Sequence, residues 1–261
     1  MRKLIKKNIQ RLESDFPIII SKNFLSKKIC QEISEEINKY NSYDDIVMGG
    51  RKRLNKGTKN FKHFINHSKS SKKLFNSFNN KTFFYSIINI FNKTFLYKRL
   101  DFFKNKFNYS KINYGLQIGK KFSKYKYLKP TINLDMDFSV AEKGYYRHPH
   151  RDRDTRIINF LIYLNTLKKN SGANLEIYKV KKNLKKYSRF PDKKNLILAK
   201  KLPPKRGMII LFVSQPNSYH AVSKLKTNEK RYFIYGSYSL DREIDWKNIN
   251  LTNNKLKRII I

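Results

Sequence analysis

From about Thr131 the chain reads as short apolar or alternating runs separated by turn residues, the pattern of an all-β sandwich or barrel. Eight such runs stand out as candidate strands: Thr131 to Val140, Tyr145 to His150, Arg156 to Leu164, Asn174 to Val180, Asn195 to Lys200, Gly207 to Ser214, Tyr219 to Leu225 and Lys230 to Tyr238. Ser171-Gly172, Pro203-Pro204 with Gly207, and Pro216-Asn217 fall between them, where their φ preferences suit turns. Eight short antiparallel strands in this length predict a double-sheet jelly roll. Leu161, Tyr163, Ile209, Leu211 and Phe212 are its expected core or pocket-lining residues.

The first half has a different texture. Phe16-Pro-Ile-Ile-Ile20 is too short for a helix and suits a strand. Ile29, Ile33 and Ile37 then recur at every fourth position, predicting a helix from about Ser26 with those three on its buried face. Met48 to Gly57, with its glycines and charges, reads as an exposed loop, and Phe83 to Phe91 as a buried helix or strand. The expected fold class is therefore α+β: a jelly-roll (double-stranded β-helix, cupin-like) core over residues 130–240, a mainly helical extension over 1–129 packing on it, and a tail over 241–261.

Composition changes the picture in two ways. Across 261 residues, 58 Lys and Arg against 19 Asp and Glu give a formal charge of +39, which by itself points to nucleic acid, an anionic membrane surface or an acidic substrate. The chain is also crowded with Lys, Asn, Ile, Phe and Tyr, whose codons are A/T-rich, so base composition accounts for part of the charge. A nucleic-acid partner stays as an alternative. The lone Cys30 rules out an intramolecular disulfide and a thiolate cluster, and its expected place is the half-buried or core side of the first helix. No apolar run reaches the ~20 residues that span a bilayer, and Met1 to Lys7 is basic without an apolar segment after it, so the expected setting is the cytoplasm.

With no thiolate cluster, any metal must take nitrogen and oxygen ligands. His150 and Asp152 are two residues apart, so on an extended chain both leave the same face. His148 and Asp154 compete with them at the same spacing, whereas His63 and His67 have no carboxylate at ligand spacing and read as surface or core residues. The third ligand falls to His220, the one later histidine, on a seventh strand that can lie beside the second. Two histidines and a carboxylate make the facial triad of non-haem iron(II) oxygenases, with positions left for a chelating cosubstrate and O2. A chelating dicarboxylate needs a cation for its far end, and Arg231 at the start of the last strand is well placed, with Lys230 as the fallback.

In order and spacing, His150-Arg-Asp152, Tyr163-Leu-Asn165, Gly172, Gly207 with Met-Ile-Ile-Leu-Phe212, His220 and Arg231 resemble the 2-oxoglutarate and Fe(II)-dependent dioxygenases, in the branch that includes prolyl 4-hydroxylases. The resemblance spans roughly residues 130 to 240, with an echo from Phe16 to Glu36. It favours His150 and Asp152 over His148 and Asp154. It implies Fe(II) held by His150, Asp152 and His220, and 2-oxoglutarate held by Arg231 and the Tyr163 hydroxyl. O2 is the second cosubstrate, and a C–H bond of a peptide or small molecule is hydroxylated with release of succinate and CO2. Arg156 is expected at the pocket mouth or as a solvated strand start. Phe233 departs from the Ser or Thr that members often carry two residues after the anchor. Two alternatives remain beside this reading: an oxidative nucleic-acid demethylase, against which Ser237 stands where such enzymes carry a second arginine, and a basic nucleic-acid- or glycan-binding jelly roll without catalysis. No motif up to Lys129 names a substrate, and none in the chain indicates an oligomeric state.

Overall fold

In the computed structural model, described here for residues 9–95, 100–105, 107–110, 131–181 and 187–246, two sheets face each other, antiparallel throughout except where β5 runs parallel to β6. Among the described residues the larger sheet has nine strands and the smaller four. The first-half strands are β1 (Ile9–Leu12), β2 (Ile18–Ser21), β3 (Asp45–Val47), β4 (Arg51–Asn55) and β5 (Asn108–Ser110). The second half gives β6 (Thr131–Ala141), β7 (Arg147–His150), β8 (Arg156–Tyr163), β9 (Leu175–Val180), β10 (Leu196–Leu202), β11 (Ile209–Val213), β12 (His220–Val222) and β13 (Arg231–Leu240). The larger sheet runs β1-β2-β11-β8-β13-β6-β4-β3 with β5 beside β6, and the smaller runs β10-β9-β12-β7. All eight candidate strands exist, in the order of a double-stranded β-helix.

The helices follow their apolar spacing. The first, α1 (Lys27–Lys39), starts where Ser26 Oγ accepts the Ile29 amide. Its buried stripe is Cys30, Ile33 and Ile37 rather than Ile29, which is 37% exposed. The two four-residue steps from Ile29 to Ile37 turn about 800° at about 100° per residue, roughly 80° past two full turns, so a strict i+4 row drifts around the helix, and Cys30, one residue on, enters the core in place of Ile29. Helices α2 (Lys59–His67), α3 (Lys69–Phe78) and α4 (Lys81–Phe95) follow, so Phe83 to Phe91 is helical. Phe78 packs onto Phe160 and Phe84 onto Tyr238 of the larger sheet, with Phe83 against Phe78, covering the face turned away from the smaller sheet.

Two features of the first half place it in the core rather than beside it. Ile18 to Ser21 on β2 pair with Ile209 to Phe212 on β11, extending the sheet. Met48 to Gly57, expected as an exposed loop, instead turns at Met48-Gly49-Gly50 and enters β4, which pairs with β6. The charges there misled the reading: Arg51 is only 3% exposed because its guanidinium pairs with Asp137 at 2.5 Å and donates to Ser139 Oγ at 3.1 Å. No described helix is long and apolar enough to cross a membrane. Residues 111–129 of the extension and 247–261 of the tail lie outside the described residues.

Candidate functional site

β12 pairs antiparallel with β7, and the register sets His220 opposite His150. Asp152 follows two residues after His150, where β7 has ended, and brings its carboxylate toward the Nε2 atoms of both rings. Their centroids are 4.3 Å apart, and one ligand atom from each of the three side chains lies within 4.8 Å of the others. His150 Nε2 is 3.9 Å from Asp152 Oδ1 and His220 Nε2 is 3.5 Å from Asp152 Oδ2. All three residues are buried.

The backbone fixes the tautomers. His150 Nδ1 lies 2.8 Å from the His148 carbonyl and His220 Nδ1 lies 3.0 Å from that of Ser218. A carbonyl only accepts, so each Nδ1 carries the proton and each Nε2 turns a lone pair toward Asp152. Burial depresses the pKa of both imidazoles, keeping them neutral near pH 7. Burial works against the Asp152 carboxylate, but Arg156 and the two histidines outweigh it and hold the carboxyl well below the usual carboxylate range. Two lone pairs and an anion thus face one another with no proton between them, and His150 Nε2 has no hydrogen-bond partner. That donor set fits a divalent cation.

Asp152 is held from behind. Arg156 Nη1 donates to Oδ1 at 2.8 Å and Tyr235 Oη donates to Oδ2 at 2.7 Å. Arg156 also donates to Tyr235 Oη at 2.5 Å and lies 3.6 Å from Asp135. Arg156 is thus largely buried against the triad rather than solvated.

Beyond the metal side, Arg231 on β13 is completely buried, with Nε and Nη1 unpartnered, and Tyr163 at the end of β8 is buried with an unpartnered hydroxyl. The guanidinium carbon sits 5.1 Å from the Tyr163 ring centre, 5.5 Å from Tyr145 and 4.4 Å from Phe233. The pocket also has Leu161, Leu175 and Phe212 in its walls. Buried donors left without acceptors cost about 1 to 3 kcal/mol each, and a carboxylate would satisfy those of Arg231 and Tyr163 together. Phe233 supplies a ring face to the guanidinium where a hydroxyl was the expected neighbour.

The competing residues lie elsewhere. His148 is exposed, Asp154 is engaged by Arg151, and Lys230 is exposed with Nζ toward Asn38. His63 and His67 stack on the outside of α2, ring centres 4.2 Å apart. The sequence reading missed Arg51, Tyr145, Arg147 and Tyr235. Tyr235 had a usable signal, since Arg231, Phe233 and Tyr235 alternate along one strand and share a face. Arg51 had none, because its partner Asp137 lies far along the chain.

A two-sheet jelly roll with two histidines and a carboxylate converging at its open end defines the non-haem iron oxygenase class. Residues 136–238 match the family described as the 2OG-Fe(II) oxygenase superfamily. The chain is accordingly an oxygenase that uses Fe(II), 2-oxoglutarate and O2. In fold the chain is similar to a prolyl-4-hydroxylase from Pseudomonas putida, at 12% identity and a TM-score of 0.50 over 91% of this chain and 97% of that one. Prolyl 4-hydroxylases from Phytophthora capsici match at 11% identity and a TM-score of 0.47, over 92% of this chain and 62% of that one. HygX from Streptomyces hygroscopicus, with nickel and 2-oxoglutarate bound, matches at 9% and 0.47, over 86% and 83%. No curated protein matches the chain in sequence.

Proposed function

We propose that His150, Asp152 and His220 hold the iron, that Arg231 and Tyr163 hold the far carboxylate of 2-oxoglutarate, and that the enzyme hydroxylates a C–H bond of a peptide or small molecule. The observation that carries this reading is the pairing of two unsatisfied sets in one pocket: the converging lone pairs of the triad, and the unpartnered donors of Arg231 and Tyr163.

When bound, iron(II) and 2-oxoglutarate supply the oxidising power, O2 being consumed as the cosubstrate is decarboxylated to succinate and CO2. The protein's part is to position and to exclude. Backbone carbonyls aim the two Nε2 atoms, and Arg156 and Tyr235 fix both oxygens of Asp152. Arg231 offers a planar fork for a carboxylate, with Tyr163 beside it, and the walls of Leu161, Phe212 and Phe233 keep water from that end.

The fold likeness to a prolyl-4-hydroxylase makes a prolyl residue of a peptide the first substrate to try. A cytoplasmic setting agrees with the single free Cys30.

The test is an anaerobic titration of the metal-free protein with iron(II) and 2-oxoglutarate, following the visible charge-transfer band of the chelate. The band is expected in the wild type and absent from His150→Ala, Asp152→Ala and His220→Ala. Iron binding without the band in the wild type would overturn the cosubstrate assignment, and no iron binding would overturn the triad.

A further inference from the structure

Around the triad, arginines outnumber the acids that neutralise them. Arg151 pairs with Asp154, Arg156 with Asp152 and Asp135, and Arg51 with Asp137. Arg147, Arg153 and Arg189 remain, and among the described residues no carboxylate lies within ion-pair distance of them.

Each is tied to the triad by a separate element, and Arg147 lines the pocket itself. Arg147 opens β7 and lines the pocket together with His220 and Tyr235. Arg153 follows Asp152 directly and is exposed. Arg189 is brought in by a segment docked on the triad strands: its carbonyl accepts the Arg151 amide at 3.0 Å, and the Ser188 carbonyl accepts the Tyr219 hydroxyl at 2.6 Å. Arg189 Nε is buried without a hydrogen-bond partner, and the guanidinium lies 5.1 Å from the Phe190 ring centre. Burial, then the charges of Arg153, Arg147 and Arg156, push the Arg189 pKa down, so these cations act on one another.

A solvated basic face would not look like this. Lysines spread over a surface keep their ammonium groups in water, whereas Arg147 and Arg189 are half-buried beside like charges. Such an arrangement costs stability until an anion joins it. Guanidinium groups grip carboxylates and phosphates through paired hydrogen bonds.

We propose that Arg147, Arg153 and Arg189 form an anion-recognising subsite at the mouth of the active site, so that the substrate carries a carboxylate or phosphate near the carbon that is oxidised. This rests on the oxygenase reading above and narrows its substrate class. Acidic side chains on a peptide and the phosphate of a small metabolite supply the same chemistry.

The test is calorimetric titration of the full chain with three probes: the blocked peptide Glu-Glu-Pro-Glu-Glu, its Gln-Gln-Pro-Gln-Gln counterpart, and glycerol 3-phosphate. Two variants are compared, R147Q/R153Q/R189Q at the mouth and K62Q/K72Q/K73Q on exposed positions of α2 and α3. Each loses three positive charges, so a non-specific effect of the +39 chain falls on both alike. The expected result is that the acidic peptide or the phosphate binds the wild type and the lysine variant equally, and the mouth variant at least ten-fold more weakly. Which of the two binds identifies the source of the anion. Equal binding of the Glu and Gln peptides, equal loss in both variants, or no binding of any probe would overturn the subsite. Should R189Q unfold the segment, seen by circular dichroism, R147Q/R153Q gives the same reading. The chelate band of the wild type, measured separately, reports on the oxygenase reading alone.

Discussion

Tyr235 donates its hydroxyl to Asp152 Oδ2 at 2.7 Å, while Arg156 donates to the other oxygen, so the carboxylate at the centre of the triad cannot swing between rotamers. Both partners come from the larger sheet, whereas the two histidines lie on the smaller one. Losing such a support commonly lowers metal affinity about 10- to 100-fold. Tyr235→Phe is therefore expected to weaken iron(II) or manganese(II) binding by that factor with an unchanged circular dichroism spectrum. Unaltered metal affinity would show that Arg156 suffices.

Arg231→Gln should separate the two halves of the pocket. Charge-assisted hydrogen bonds contribute about 1.5 to 3 kcal/mol each, so 2-oxoglutarate affinity is expected to fall by at least about ten-fold while metal binding at the triad stays within about two-fold of wild type. Equal loss of both would mean that the variant disturbs β13 as a whole.

Lys56 gives the fold a pH dependence of defined sign. Burial pushes its pKa down to about 8, against the opposing pull of Asp135, from an ordinary value of 10.5. Between those values the unfolded chain binds the extra proton, so stability should rise as pH climbs from about 8 to about 10.5. Below about 8 the folded state bears the full cost of the charged ammonium. Urea unfolding across this range should show a shallower slope for Lys56→Met than for the wild type.

Cys30 is buried against the core, and burial pushes its thiol up to about 11. At pH 8 it should react with a disulfide reagent only as fast as the protein opens, and at once in denaturant. Fast labelling of the native protein would contradict the packing of α1.

Gly207 adopts φ +76°, and an added Cβ would lie 2.4 Å from the Leu25 carbonyl oxygen. Its own amide donates to Tyr163, and its carbonyl accepts from Phe24 and Leu25. Gly207→Ala should cost about 3 kcal/mol through backbone strain, read as a lowered urea midpoint.

The strands of the second half were legible because most of the short apolar runs are bounded by Gly, Pro, Asn or Asp, and because side-chain alternation in a strand is a local property. The triad was legible for the same reason at His150 and Asp152. The choice of His220 needed only that β7 and β12 pair, which the jelly-roll order supplies. What stayed hidden depends on contacts distant in sequence. β4 looked like a loop because nothing near Arg51 announces Asp137. Arg156 stayed open between the pocket mouth and solvent because its salt bridge to Asp152 depends on a turn after β7 that no pattern encodes. Cys30 displaced Ile29 from the buried stripe through the helix's drift and its rotation against the sheet.

The register that sets His220 opposite His150 also governs when the chain becomes reactive. His220 joins His150 and Asp152 only once the smaller sheet has closed, since the two strands that carry the histidines are separated by β8 to β11 along the chain. On the ligand assignment proposed above, a nascent or damaged polypeptide therefore offers no complete cage for iron. Metal capture at that site and completion of the sheet would then reinforce each other, confining oxygen chemistry to molecules that have finished folding.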